Sequence, residues 1–194
     1  MPEQLYRENY RINPIPFNAS NDRIQFYCSF LSTWKPGFTG KSAGGTHAVY
    51  SLVLQGKYHL YYKERKYTVP EAHFTINRIP HPYTKAVTAG QFPLVRKSCM
   101  LYRNAFHDMI SSRLFPDAHT TLPLRNPEKV ERLMDSIHEH LGETGSVDDT
   151  ALAGLFFQLL HELRAQQKKE SASGFAEPRT RIHCTQSLRS GAFP

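Results

Sequence analysis

The feature that most constrains this chain is a change of hydrophobic period near Tyr102. Upstream, apolar and aromatic residues crowd into short runs: RIQFYCSFL (23–31), HAVYSLVLQ (47–55), KYHLYYK (57–63), KYTV (66–69), HFTIN (73–77) and LVRKSCMLY (94–102). They are rich in β-branched and aromatic residues, and Gly, Pro or charged residues separate them. That is the pattern of strands in an all-β sandwich or barrel. Downstream the period becomes 3.6, the repeat of a helix with one buried stripe.

Three helices are expected after the switch. NAFHDMISSRLF (104–115) brings Phe106, Met109, Ile110 and Leu114 to one face. NPEKVERLMDSIHEHLG (126–142) carries its own punctuation: Asn126 as N-cap, Pro127 at the first helical position, Glu128 in the electropositive first turn and Gly142 past the end. Its stripe is Val130, Leu133, Met134, Ile137 and Leu141. The last helix, over about 147–168, opens with Ser146 and Asp149 as a shortened capping box, and bears Leu152, Leu155, Phe156, Leu159, Leu160 and Leu163. It has more Leu and Phe than one inward stripe requires. Leu155, Leu159 and Leu163 are therefore expected on an outer seam that meets a second copy, making a homodimer.

Residues 1–22 contain Pro14 and Pro16 and read as an extended arm; 23–169 form the one main domain; 170–194 form a flexible basic tail. Of the net charge of +7, six Lys or Arg against two Glu between Arg164 and Pro194 supply +4. The charge is concentrated at one end, as in a solvated tail, and is no signature of nucleic-acid binding. Cys28, Cys99 and Cys184 are odd in number and far apart, which suggests reduced thiols and a cytoplasmic setting. No run of about 18 apolar residues is present to span a membrane.

Residues 47–84 hold four histidines and six tyrosines. A metal-binding barrel of this kind places an H-x-H pair on one strand, a Glu soon after and a third His on a far strand, so that all share one inward face. Here His47 opens HAV, while His59, His73 and His81 stand apart and Glu64 falls in a turn, so no metal and no cofactor are expected. Nucleophilic chemistry has no foothold: there is no G-x-S-x-G elbow, and GFTGKSAGG (37–45) lacks the spacing of a P-loop and reads as a loop between strands. A ligand cup asks less, namely a concave apolar interior with a few orienting polar groups. Trp34, Tyr50, Tyr61, His81 and Tyr83 are the candidates for contact with a small molecule. Alternation sets Tyr58, Leu60 and Tyr62 against His59 and Tyr61, but the sequence does not say which set faces inward.

Several pieces, in order, resemble the sensor half of AraC-type transcription regulators: the strand ending Leu54-Gln55-Gly56, the hairpin KYHLYYKERKYTV, Pro70 before HFTIN, the HPY at 81–83, the strand RKSCMLYRNAF and the helix start LRNPEKVERLMDSI. The resemblance covers about residues 20–165. It implies a mainly β fold with α, a cupin-like β-barrel followed by an antiparallel helix pair. It also implies a non-enzymatic domain that binds a small effector, with a sugar as the candidate, and dimerises through its helices. DNA contact would then come only through a carboxy-terminal domain not contained in this chain. The departures are specific. Lys63-Glu64-Arg65 replaces a Gly-containing turn, Asn77 and Arg78 stand where paired prolines are common, and Lys97 and Cys99 match a sugar-facing His-x-Trp pair, so arabinose itself is not implied. A small cupin-like enzyme of carbohydrate or aromatic metabolism is the alternative.

Overall fold

The computed structural model describes residues 6–13, 23–42, 47–62, 64–78, 84–142 and 148–173. Its strands are β1 (Tyr6–Ile12), β2 (Phe26–Trp34), β3 (Thr39–Ser42), β4 (His47–Gln55), β5 (Lys57–Tyr62), β6 (Arg65–Pro70), β7 (His73–Asn77), β8 (Thr84–Ala89), β9 (Leu94–Tyr102) and β10 (His119–Pro123). Helix α1 (Ala105–Leu114) precedes β10, and α2 (Pro127–Gly142) and α3 (Asp149–Ser173) close the chain order.

The strands form two antiparallel sheets, β1-β2-β9-β4-β7-β10 and β3-β8-β5-β6. The architecture is mainly β with α, as expected, with one difference from the expected barrel: among the described residues no strand of one sheet pairs with a strand of the other. The cup is two facing sheets rather than a closed barrel. β4 passes to β5, and so from one sheet to the other, through Gly56. This residue has φ +78°, and a Cβ there would lie 2.6 Å from the Pro93 carbonyl oxygen. Only glycine fits that corner without strain.

Four strands lie where the sequence pattern suggested none. Residues 6–12, expected in an irregular arm, pair along β2 from Tyr6 opposite Trp34 to Ile12 opposite Cys28. Part of the GFTGKSAGG loop is β3, which pairs with β8 in a stretch, TKAVTA, that has little apolar alternation. β10 pairs with β7 and completes the large sheet.

The large sheet separates two cores. On its outer side Phe26, Tyr50, Leu52, Phe74, Ile76 and Leu101 meet the apolar stripes of α2 and α3. Phe156 is the hub there, packing edge-on to both Phe26 (6.0 Å) and Tyr50 (5.2 Å). Between the sheets a smaller cluster holds Trp34, Val53, Tyr58, Leu60, Val69 and Leu94.

The helix caps follow from short polar side chains at the right positions. Asn104 Oδ1 accepts from the His107 amide (2.8 Å) at the start of α1, and Asn126 Oδ1 accepts from the Lys129 amide (3.2 Å) at the start of α2. At α3, Asp148 Oδ1 accepts from the Thr150 and Ala151 amides, so Asp148 is the cap; Ser146, half of the expected capping box, lies outside the described residues. The expected dimer seam needs correction as well. Leu159 and Leu163 are fully buried in this chain's own core, and half-buried Leu155 packs against the same cluster. Both apolar stripes of α3 are used within one molecule, because the large sheet and α2 approach it from different sides. Its exposed apolar side chain is Phe157.

Candidate ligand-binding cup

Strand register decides which side chains face between the sheets. Residues opposite one another in an antiparallel pair share a face. Trp34 lies opposite Leu94, and both belong to the inter-sheet cluster; stepping by two along each strand then places the rest. Next to this apolar end comes Ser32, Arg96 and Val53, with the Arg96 guanidinium 4.2 Å over the Trp34 ring. The following row is polar: Ser98 on β9, Ser51 on β4, Thr75 on β7 and Thr121 on β10, in continuous register beside Phe30 on β2. Beyond it stand Met100, Val49, Asn77 and His119, and last Tyr102 opposite His47.

The hydroxyl row is a buried polar floor. Ser51 Oγ and Ser98 Oγ are 2.7 Å apart, and from the opposite sheet the Tyr58 hydroxyl reaches Thr75 Oγ1 at 3.4 Å. Each hydroxyl both donates and accepts, so the row can adjust to a ligand's own hydroxyl pattern. The two outer rows, by contrast, are half-buried: Val49, Met100, Asn77, Tyr102, His47 and His119 all keep partial contact with solvent. They are the more exposed end of this inter-sheet face, and Tyr67 of the small sheet packs there, 4.7 Å from the His119 ring.

Burial favours the neutral form of both imidazoles. Burial draws the His119 pKa down to about 4 and lowers that of His47. His119 Nε2 lies 3.2 Å from Thr121 Oγ1, while its Nδ1 and His47 Nε2 are buried with no hydrogen-bond partner among the described residues. Rings of Tyr27 (4.6 Å) and Tyr102 (4.8 Å) flank His47. Buried nitrogens are nearly always paired, so these two leave hydrogen-bonding capacity open at this end of the sheet. Among the described residues no group of three His, Cys, Asp or Glu is placed to bind a metal ion.

The three expected contact residues that lie among the described residues, Trp34, Tyr50 and Tyr61, do not share one site. Trp34 faces the cup at its apolar end, edge-on to Phe38 (4.6 Å). Tyr50 is on the opposite face of β4, buried against the helices, because it lies opposite Cys99 in the outer core. Tyr61 shares the outer face of the small sheet with His59, since Tyr58 and Leu60 are the inward pair. His81 and Tyr83 lie outside the described residues. Lys97 and Cys99 are likewise on the helix side of β9, and the positions that face the cup are Arg96, Ser98 and Met100. The hydroxyl row was missed because serine and threonine give little pattern signal; only register lines them up across four strands.

Tyr50 belongs instead to a second polar cluster. Its hydroxyl lies 2.9 Å from His107 Nε2 and 3.0 Å from Ser111 Oγ, and His107 Nδ1 is 3.0 Å from Asp108, which Arg103 holds by two hydrogen bonds. Burial pushes the Tyr50 hydroxyl well above its usual pKa and lowers that of His107. Burial opposes ionisation of Asp108, yet its bonds to Arg103 and His107 outweigh that and lower its pKa. Serine, imidazole and carboxylate thus stand in the order of a hydrolytic triad. But His107 and Ser111 have no exposed surface, and Ser111 Oγ also bonds the His107 carbonyl (2.7 Å). The cluster fastens α1 to β4 and offers no access to a substrate.

No protein-family model and no curated protein matches this sequence. Among solved structures the chain is similar to YhaK from Escherichia coli, at 11% identity and a TM-score of 0.48, over 61% of this chain and 52% of that one. It is also similar to a cupin-2 domain of an XRE-family transcriptional regulator from Enterobacter cloacae (12% identity, TM-score 0.40, 52% of this chain and 98% of that one). KdgF from a Halomonas species is a further likeness (16%, 0.36, 54% and 84%). Among the described residues no helix is long and apolar enough to cross a membrane.

Proposed function

We propose that this chain is the effector-binding domain of an AraC-type transcription regulator, and that its effector is a small, neutral, hydroxyl-rich molecule held at the more exposed end of the cup. The observation that carries the ligand reading is the register-aligned row of Ser98, Ser51, Thr75 and Thr121, backed by Tyr58 and rimmed by two neutral histidines with unpaired buried nitrogens. Hydroxyls and neutral imidazoles satisfy a sugar-like ligand without demanding a charge, and Tyr67, Tyr102 and Met100 offer flat or soft apolar surface to its C–H faces. The regulator reading is supported by the resemblance of the hairpin, the HPY segment and the LRNPEKVERLMDSI helix start.

Trp34, the single tryptophan, sits at the apolar end of the cup and reports on it. A panel of monosaccharides, polyols and sugar acids is screened by thermal shift and Trp34 fluorescence. A binder at 100 times its dissociation constant stabilises the chain by about 2.7 kcal/mol. Ser51→Ala with Thr121→Val weakens that binder about tenfold or more, as expected when two hydroxyl contacts are lost. Stabilisation by a compound whose affinity ignores both substitutions places the site elsewhere. Metal analysis of the purified protein tests the enzymatic alternative, since a stoichiometric bound ion would favour it.

A further inference from the structure

The outer face of the small sheet carries charge of one sign. Because Tyr58, Leu60 and Val69 point between the sheets, the alternate residues of β5, β6 and β8 point away from the cup. Tyr61 pairs with Lys66 on one side and with Lys85 on the other, which sets Lys85, Tyr61 and Lys66 in one row across three strands. The next row on that face holds Val87, His59 and Thr68, and Lys57 follows His59 along β5. All three lysines are exposed, and among the described residues no carboxylate pairs with them. Burial, then Lys66 and Lys57, lower the His59 pKa, so both ammonium groups bear on the same ring.

The bias extends to the whole sheet. β3, β5, β6 and β8 contain Lys41, Lys57, Arg65, Lys66 and Lys85 but no Asp or Glu. Residues 164–194 supply +4 of the net +7, so residues 1–163 carry +3; the five basic residues of this sheet exceed that, and the rest of the span is net negative. The chemistry of the face selects among polyanions. An acidic protein would need an apolar centre to pack on, and lysine is depleted from such centres. Unpaired bases would need an open ring to stack on, but Tyr61 and His59 are half-buried and packed edge-on to each other (6.3 Å), and His59 Nδ1 lies 3.1 Å from Thr68 Oγ1. What the face offers is charge, spread about 10 Å across the strands from Lys85 to Lys66 and about 13 Å along β5 from Lys57 to Tyr61. Lysine stems over that span reach several phosphates of a duplex without reading a base.

We infer that the outer face of the small sheet is a sequence-independent contact for the phosphate backbone of duplex DNA, distinct from the DNA contact that the resemblance assigns to a separate domain. The face is turned away from the cup, so its failure would leave the ligand reading standing. The experiment is fluorescence anisotropy of a labelled duplex of arbitrary sequence, about 20 base pairs long, titrated with the full chain between about 50 and about 200 mM salt. The wild type binds, and its affinity falls steeply as salt rises. Lys57→Gln with Lys66→Gln and Lys85→Gln weakens binding at about 50 mM salt about tenfold or more and lowers the slope of log affinity against log salt by about 2.7. Arginine at the same three positions keeps the affinity within about threefold of the wild type, because the charges remain. Removing as many charges from the tail, with Arg179→Gln, Arg181→Gln and Arg189→Gln, has a smaller effect than neutralising the face. A wild type that does not bind, a face variant that binds unchanged, or a tail variant that loses as much overturns the inference. So does tighter binding of the single strand, which would mean that the rings stack bases, or displacement of the duplex by polyglutamate as readily as by unlabelled duplex of equal charge, which would point to an acidic protein.

Discussion

His119 shows how much one side chain can decide. Its folded pKa of about 4 lies below the 6.5 expected when it is exposed in the unfolded chain, so the folded state resists protonation. Its contribution is therefore complete above about pH 6.5 and is lost as the pH falls from there to about 4. Integrated over that window, the loss is on the order of 3 kcal/mol. Urea titrations at pH 7.5 and 4.5 should show that decline, and His119→Asn should flatten it; equal slopes in both proteins would mean that another group controls acid stability. Position 119 also illustrates what the sequence conceals. As one of ten histidines it has no distinguishing neighbour. Its environment comes from β7 pairing and from Tyr67 on the other sheet, contacts made across dozens of residues. Gly56 is the opposite case. A glycine between two strand runs is visible in the sequence, and its positive φ and the nearby Pro93 carbonyl explain it. Gly56→Ala is expected to cost about 2 kcal/mol or more, because a β-carbon would meet backbone rather than a flexible side chain. A thermal melt within about a degree of wild type would contradict the strained corner.

Among the elements, β9 and α2 are joined by a charge that faces away from the cup. Lys97 Nζ reaches Glu131 (2.9 Å) and Asp135 (2.5 Å) on α2, while its neighbours Arg96 and Ser98 face inward. The lysine side chain is 11% exposed and its partners 36% and 48%, so the two sides of this contact respond differently to mutation. Lys97→Met removes the buried charge and leaves carboxylates that water can solvate, and is expected to change stability by less than about 1 kcal/mol. Glu131→Gln with Asp135→Asn strands the buried ammonium and is expected to cost about 3 kcal/mol. Denaturant midpoints for the two variants check the asymmetry; equal losses would show that the pair acts as an ordinary surface bridge. The helices themselves were legible, since Asn126, Pro127 and a clean 3.6 stripe all mark the start of α2. Strands β1, β3, β8 and β10 were not. Each is an edge strand or lies next to one, with few apolar residues, and owes its conformation to hydrogen bonds from a neighbouring strand rather than to its own pattern.

For the whole molecule, the decisive fact is that one sheet serves two cores. Its inner face holds Trp34 and the cup, its outer face holds the Phe156 hub and both long helices, and neighbouring residues such as Leu52 and Val53 belong to different cores. This is also why Tyr50 and Tyr61 could not be assigned from alternation. The period states that two faces exist; for Tyr50 the docking of the helices, and for Tyr61 the facing of the two sheets, states which face is covered. With β4 and β9 common to both cores, neither can come apart without exposing the other, so unfolding should be all-or-none despite the two clusters. Trp34 fluorescence reads the cup and far-ultraviolet circular dichroism is weighted towards the helices, so in urea the two transitions should coincide. Phe156→Ala, which empties the hub between Phe26 and Tyr50, is expected to cost about 3–5 kcal/mol and to move both midpoints together. If the helix signal were lost at lower urea while Trp34 stayed in its native environment, the cup would be an autonomous unit with the helices merely resting on it, and the shared-sheet account would be wrong.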